Sequence, residues 1–124
     1  MSIALVIDDN PTIRSFVAEV LFRAGYQVVE AKNGHEGVRL SQELTPEIVI
    51  SDIYMPGQDG IYVLRELRRL KQPARIVMMS GGSKLIPDFN GLECARKLGA
   101  DATLQKPFTP YELMQAVTNL PVLN

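Results

Sequence analysis

Five side chains able to handle a charged group stand at the ends of short apolar runs. Asp8 and Asp9 follow Ile3-Ala4-Leu5-Val6-Ile7, and Asp52 follows Ile48-Val49-Ile50-Ser51. Ser80 closes the run Arg75 to Met79, and Lys106 follows Ala102 to Gln105. Three carboxylates brought together repel one another unless a cation lies between them. Carboxylates and water suit Mg2+, which prefers oxygen and commonly binds through one or two carboxylates plus a phosphate. A carboxylate is also a nucleophile that forms an aspartyl-phosphate. A hydroxyl and an ammonium at the same place would hydrogen-bond and neutralise the oxygens of the transferred group. Singly, these residues are ordinary: an aspartate after a strand is often a cap or turn residue. Their shared position gives the set its meaning.

That position depends on the fold. The run from Ile3 to Ile7 is apolar on both faces, as in a parallel strand covered by helices on both sides. Asn10 offers an N-cap and Pro11 a first helical position. Ile13, Phe16, Val17, Val20 and Leu21 follow at helical spacing, with Gly25 placed to end the helix. Tyr26 to Ala31 reads as a second strand. A second helix runs from Asn33-Gly34 to about Leu44, before Pro46. Asp59 can cap a third helix carrying Ile61, Leu64 and Leu67, which Pro73 breaks. After the fourth strand a loop leads to about Gly91, and a short helix runs to Leu98, closed by Gly99. Thr109-Pro110-Tyr111-Glu112 is a capping box, followed by Leu113, Ala116, Val117 and Leu120 at helical spacing. Strand and helix thus alternate five times. This predicts a doubly wound α/β domain with a five-stranded parallel sheet and right-handed crossovers. In such a sheet the site lies outside the carboxyl ends of the strands, where all five residues fall.

Composition narrows the function. The 124 residues suit one domain, and 46% apolar with 22% charged residues excludes disorder. No apolar run is long enough to span a membrane. No basic segment or cleavage site precedes the first strand, and the one cysteine, Cys94, is read as structural and fits a reducing compartment. A cytoplasmic protein is expected. The formal net charge is −1 and the isoelectric point about 5.8, so there is no basic field for nucleic acid.

The local motifs add a family. Val6-Ile7-Asp8-Asp9-Asn10, Ser51-Asp52-Ile53-Tyr54-Met55-Pro56-Gly57-Gln58-Asp59-Gly60, Met79-Ser80-Gly81 and Lys106-Pro107-Phe108 together resemble the receiver domain of a bacterial two-component response regulator, in the single-domain, chemotaxis-regulator-like form. The resemblance covers essentially the whole chain, and implies the flavodoxin-like strand order 2-1-3-4-5. It implies one receiver domain over residues 1–124, with no output domain. It makes Asp52 the phospho-acceptor, Asp9 the direct Mg2+ ligand, Asp8 a ligand acting mainly through water, and the backbone carbonyl of Tyr54 the third protein ligand. Lys106 and Ser80 become the phosphoryl-binding pair. The donor would be a phosphohistidine on a sensor histidine kinase or a histidine phosphotransfer protein. The chain would promote its own phosphorylation and dephosphorylation without being a turnover enzyme. It would signal by binding a downstream protein or by phosphorelay.

The sequence departs from the family in places. Receivers usually carry an aromatic residue or His three positions before the lysine, and Thr103 stands there. The family couples that ring to the strand-four hydroxyl, so the switch pair would be Ser80 and Thr103, and a short β-branched side chain has little to swing. Tyr54 is bulky for its place, and the segment from Gly81 to Gly91 is longer than the norm. The changes on activation should therefore centre on that segment.

Other features have simpler readings. Arg65, Arg68, Arg69, Lys71 and Arg75 form a basic cluster that suits either a solvated helix end or an acidic partner. His35, the one histidine, reads as a surface residue. Of Met78 and Met79, packing accounts for at least one. Two rival functions remain. Asp8-x-Asn10-x-Thr12 resembles the Asp-x-Asp-x-Thr motif of haloacid-dehalogenase-type phosphatases, but the second aspartate is missing. A flavin carrier would need a Ser/Thr/Gly-rich loop where Asp8-Asp9-Asn10 stands.

Overall fold

The computed structural model describes residues 2–53, 60–81 and 91–119. Strands β1 (Ile3–Ile7), β2 (Gln27–Ala31), β3 (Ile48–Asp52), β4 (Arg75–Ser80) and β5 (Ala102–Gln105) alternate with helices α1 (Pro11–Arg23), α2 (Gly34–Leu44), α3 (Gly60–Arg69), α4 (Gly91–Lys97) and α5 (Pro110–Thr118). All neighbouring strands are parallel, in the order β2-β1-β3-β4-β5. The expected architecture is the one observed.

Alternation along each strand splits the core in two. Ala4 and Val6 of β1, Ile48 and Ile50 of β3, and Val77 and Met79 of β4 pack with Val17 and Leu21 of α1 and Leu113 of α5. Leu5, Ile7, Val49, Ile76 and Met78 face the other way, against Val38, Leu64, Leu67 and Ala95. The central strands read as unbroken apolar runs because helices cover both faces. Both methionines are fully buried, one on each face. Each large side chain so buried contributes about 1.5–3 kcal/mol.

The punctuation works as the sequence implies. Asn10 Oδ1 accepts from the amides of Thr12 and Ile13 at 2.9 and 3.2 Å, and Pro11 opens α1. Ala24 caps the end of α1 and Gly25 turns the chain at φ 100°. Thr109 Oγ1 accepts from Glu112 N at 3.1 Å while Glu112 Oε1 accepts from Thr109 N at 3.0 Å, completing the capping box. Tyr26, expected within the second strand, precedes it. The cap expected at Asp59, the long segment after Gly81 and Leu120 of the last apolar stripe lie outside the described residues, in whole or in large part. Among the described residues no helix is long and apolar enough to cross a membrane.

Candidate functional site

Four of the expected residues meet at the carboxyl edge of the sheet. Asp8 leaves β1 through its own amide, which donates to Ala31 O of β2 at 3.1 Å. Its carboxylate is fully buried. Oδ1 accepts from Asn10 N at 2.9 Å, and Oδ2 accepts from Lys106 Nζ at 3.0 Å. Asp9, one residue on, is exposed. Asp52 ends β3 opposite Met79 of β4 and is 5% exposed. Carboxylate oxygens of Asp8, Asp9 and Asp52 all lie within 4.8 Å of one another.

Lys106 arrives from the end of β5, next to a cis Lys106–Pro107 peptide. Its amide donates to Ser80 O at 2.7 Å, tying the ends of β4 and β5 together. Nζ lies 3.2 Å from Asp52 Oδ1, near enough to pair electrostatically. No hydrogen bond reaches that oxygen among the described residues, although it is buried. Burial pushes the Asp52 carboxyl up to about 6; Lys106 pulls it down, and Asp8 and Asp9 push it up.

These donors fit Mg2+. They are hard oxygens, they carry excess negative charge, and one buried oxygen lacks a hydrogen bond. Ser80 is buried at the end of β4. By strand alternation it shares a sheet face with Thr103, which is half-buried and registers with Met78. The Tyr54 carbonyl lies outside the described residues.

Two further residues support the site, Gly60 from within the quoted motif and Arg14 from outside any motif. Gly60 N donates to Ile53 O at 2.8 Å, and a Cβ on Gly60 would stand 2.0 Å from the Asp52 carbonyl oxygen. Only glycine lets α3 start this close to the end of β3. Arg14 of α1 spans Asp8 O and Glu30 of β2, at 2.9 and 3.0 Å. Periodicity places Arg14 on the polar side of its helix but says nothing of these partners.

Two of the five basic residues, Arg68 and Arg75, are spent on contacts between elements. Arg68 donates to Gly99 O at 2.7 Å and pairs with Asp101 at 2.9 Å; Arg69 pairs with Glu66 and Arg75 with Glu47. Of the five, Arg65 and Lys71 are exposed, with no ion pair among the described residues. His35 lies edge-on to Tyr62 of α3 with ring centroids 5.4 Å apart. The Cys94 side chain is outside the description.

The chain is similar to known proteins. The family model described as "Response regulator receiver domain" matches residues 4–118. The chain is 34% identical over 116 residues to the chemotaxis protein CheY of Bacillus subtilis (strain 168), covering 91% of this chain and 92% of that protein. It is 34% identical over 109 residues to the alkaline phosphatase synthesis transcriptional regulatory protein PhoP of the same organism, covering 88% of this chain but only 44% of that protein. The chain thus spans less than half of PhoP and most of CheY. Among solved structures, a response regulator protein from Burkholderia pseudomallei with a phosphorylated aspartic acid, calcium ion and citrate superposes with a TM-score of 0.82 at 28% identity, over 96% of this chain and 68% of that one.

Proposed function

The chain belongs to the response regulator receiver domain family, and on that premise we propose that Asp52 is its phospho-acceptor, served by Mg2+ at Asp8, Asp9 and Asp52. Receiver domains are modules of phosphorylation-based signalling. The observation that carries the assignment is the buried Asp52 Oδ1, without a hydrogen bond, 3.2 Å from Lys106 Nζ and among three clustered carboxylates.

The acceptor oxygen attacks phosphorus on a phosphohistidine of a sensor kinase or histidine phosphotransfer protein. A P–O bond forms, the P–N bond breaks, and the electron pair returns to the imidazole. Mg2+ bound at the carboxylates supplies positive charge against the phosphoryl oxygens. Lys106 supplies a second positive charge, and Ser80 Oγ a hydrogen bond. Asp9 suits direct ligation, because its carboxylate has no hydrogen bond among the described residues. Asp8 suits an outer role, because both of its oxygens already accept hydrogen bonds. The Tyr54 carbonyl completes the set that the family resemblance implies. Ser80 starts the change of state toward a downstream protein target, and beside a short Thr103 the backbone at the ends of β4 and β5 carries it on. The chain accelerates its own phosphorylation and dephosphorylation and turns over no other substrate.

The haloacid-dehalogenase alternative finds no support. Asn10, which stands where that motif needs its second aspartate, spends its side-chain oxygen capping α1. The test of the present reading is treatment with acetyl phosphate and Mg2+, followed by intact-mass measurement. Addition of one phosphate, lost in Asp52→Asn, is expected. Full labelling of Asp52→Asn overturns the assignment, and sustained turnover of p-nitrophenyl phosphate would restore a phosphatase.

A further inference from the structure

Arg14 sits one turn into α1, outside the set that handles phosphate. Its Nη1 donates to the backbone carbonyl of Asp8 at 2.9 Å, and its Nε donates to Glu30 Oε1 at 3.0 Å. Glu30 belongs to β2, in register with Val6 of β1. The guanidinium therefore ties the turn that leaves β1 to the edge strand beside it. We propose that Arg14, held by Glu30, is a positioning residue that aims Asp9 at the Mg2+ site.

The argument starts from what fixes each carboxylate. Asp8 is held at both oxygens, by Asn10 N and Lys106 Nζ. Asp9 has no side-chain hydrogen bond or ion pair among the described residues, and it is exposed. With no partner of its own, its placement depends on the backbone that carries it. The Asp8 carbonyl and the Asp9 amide are two ends of one rigid peptide plane. Holding the carbonyl oxygen fixes that plane and with it the position of the Asp9 Cα, which narrows the places its carboxylate can reach. Arg14 can do this because Glu30 restrains it. Without that partner, a long side chain 20% exposed regains much of its rotamer freedom.

Charge alone predicts the opposite result. Arg14 and Glu30 together are neutral. Removing Arg14 by itself leaves a negative Glu30 near the acidic edge, which favours a cation. A positioning role predicts weaker Mg2+ binding in both cases, whereas charge alone predicts tighter binding when Arg14 alone is lost and no change when the pair is replaced at constant net charge.

The inference rests on the Mg2+ site proposed above, and its test separates the failure of one from the failure of the other. Mg2+ is titrated into the full chain by calorimetry, with no phosphoryl donor present. Arg14→Met/Glu30→Gln replaces the pair at constant net charge. Its Mg2+ dissociation constant should rise roughly tenfold, in the range of changes to groups that orient a ligand. Glu30→Gln alone should show part of that loss, and Arg14→Lys, which keeps the charge and one contact, should be intermediate. Wild-type or tighter affinity in the folded double variant overturns the proposal. If the double variant does not fold, wild-type or tighter affinity in Arg14→Met overturns it instead. Asp9→Asn is the control. If it binds Mg2+ as wild type does, the site assignment fails and the inference with it. If Asp9→Asn loses Mg2+ while the double variant does not, only the inference fails.

Discussion

Lys106 gives its hydrogen bond to Asp8, across 98 residues of sequence, with Nζ 3.0 Å from Oδ2. Asp52, the residue that accepts phosphate in our reading, gets the same ammonium at 3.2 Å without a hydrogen bond. One cation thus serves two buried carboxylates and leaves the acceptor oxygen open.

This sharing makes Lys106 a stability residue as well as a phosphoryl ligand. Its expected place in the phosphoryl-binding pair implies a part in function more than in folding. The structure revises that, because Asp8 and Asp52 are both buried and Lys106 is the cation between them. In chelator at pH 8, Lys106→Met should lose about 3 kcal/mol in urea unfolding, the scale for breaking a buried pair. The loss should shrink at pH 5, where Asp52 takes a proton, and on adding Mg2+. Wild-type stability at pH 8 would show that the two carboxylates are hydrated rather than paired.

Asp52 itself should weaken the metal-free fold at neutral pH. Its folded pKa of about 6 stands above its ordinary value of 3.8. The native state therefore holds the proton more tightly than the unfolded chain. The stability this provides is fully present below about pH 4 and is lost as pH rises through about 6. Two pKa units correspond to about 3 kcal/mol. Asp52→Asn should be more stable than wild type by about that amount at pH 8 in chelator, with the gap closing between pH 6 and 4. Parallel pH profiles for the two proteins in thermal melts would contradict the shift and its cause.

Much of this was legible in the sequence, for a physical reason. Strands buried on both faces leave unbroken apolar runs, and the residue ending each run stands at the ligand edge. Asp8, Asp52, Ser80 and Lys106 could therefore be placed before any contact was known. Caps are equally local: Asn10 and Thr109 act within three residues of themselves. The contacts that escaped are those between distant elements. Arg14 meets Glu30 16 residues away, Arg75 meets Glu47 28 away, and Arg68 meets Asp101 33 away. Nothing in helical or strand periodicity encodes such pairs. That is why the cluster around Arg68 reads in the sequence as a solvated helix end or an acidic partner's site, while in the fold Arg68 and Arg75 brace distant elements.

Gly60 should tolerate no side chain. A Cβ there would stand 2.0 Å from Asp52 O and 2.7 Å from Met78 Cε. The oxygen belongs to the backbone of the acceptor residue and cannot move without it. Gly60→Ala should cost about 1–3 kcal/mol as overpacking and slow labelling by acetyl phosphate. Wild-type unfolding together with wild-type labelling would mean that α3 slides freely along the end of β3.

The route of the signal can be followed at one amide. Lys106 N donates to Ser80 O at 2.7 Å, the last link between β4 and β5 at the site. If Ser80 Oγ turns toward a phosphoryl group on Asp52, the carbonyl of the same residue has to move or hold. Thr103, on the same sheet face, is too short to take up the change by a ring swing. The adjustment then falls on the backbone where the two strands end. Beryllofluoride with Mg2+ mimics the phosphoryl group and allows hydrogen exchange to be compared at each amide. Exchange at Lys106 N should change severalfold, and the amides of Gln105 and Gly81 should follow. The corresponding amides at the far end of the sheet, Ile3 and Gln27, should stay as they were. If protection changes at Asp9 and Ile53 but not at Lys106, the mimic has bound and the path through Ser80 is wrong.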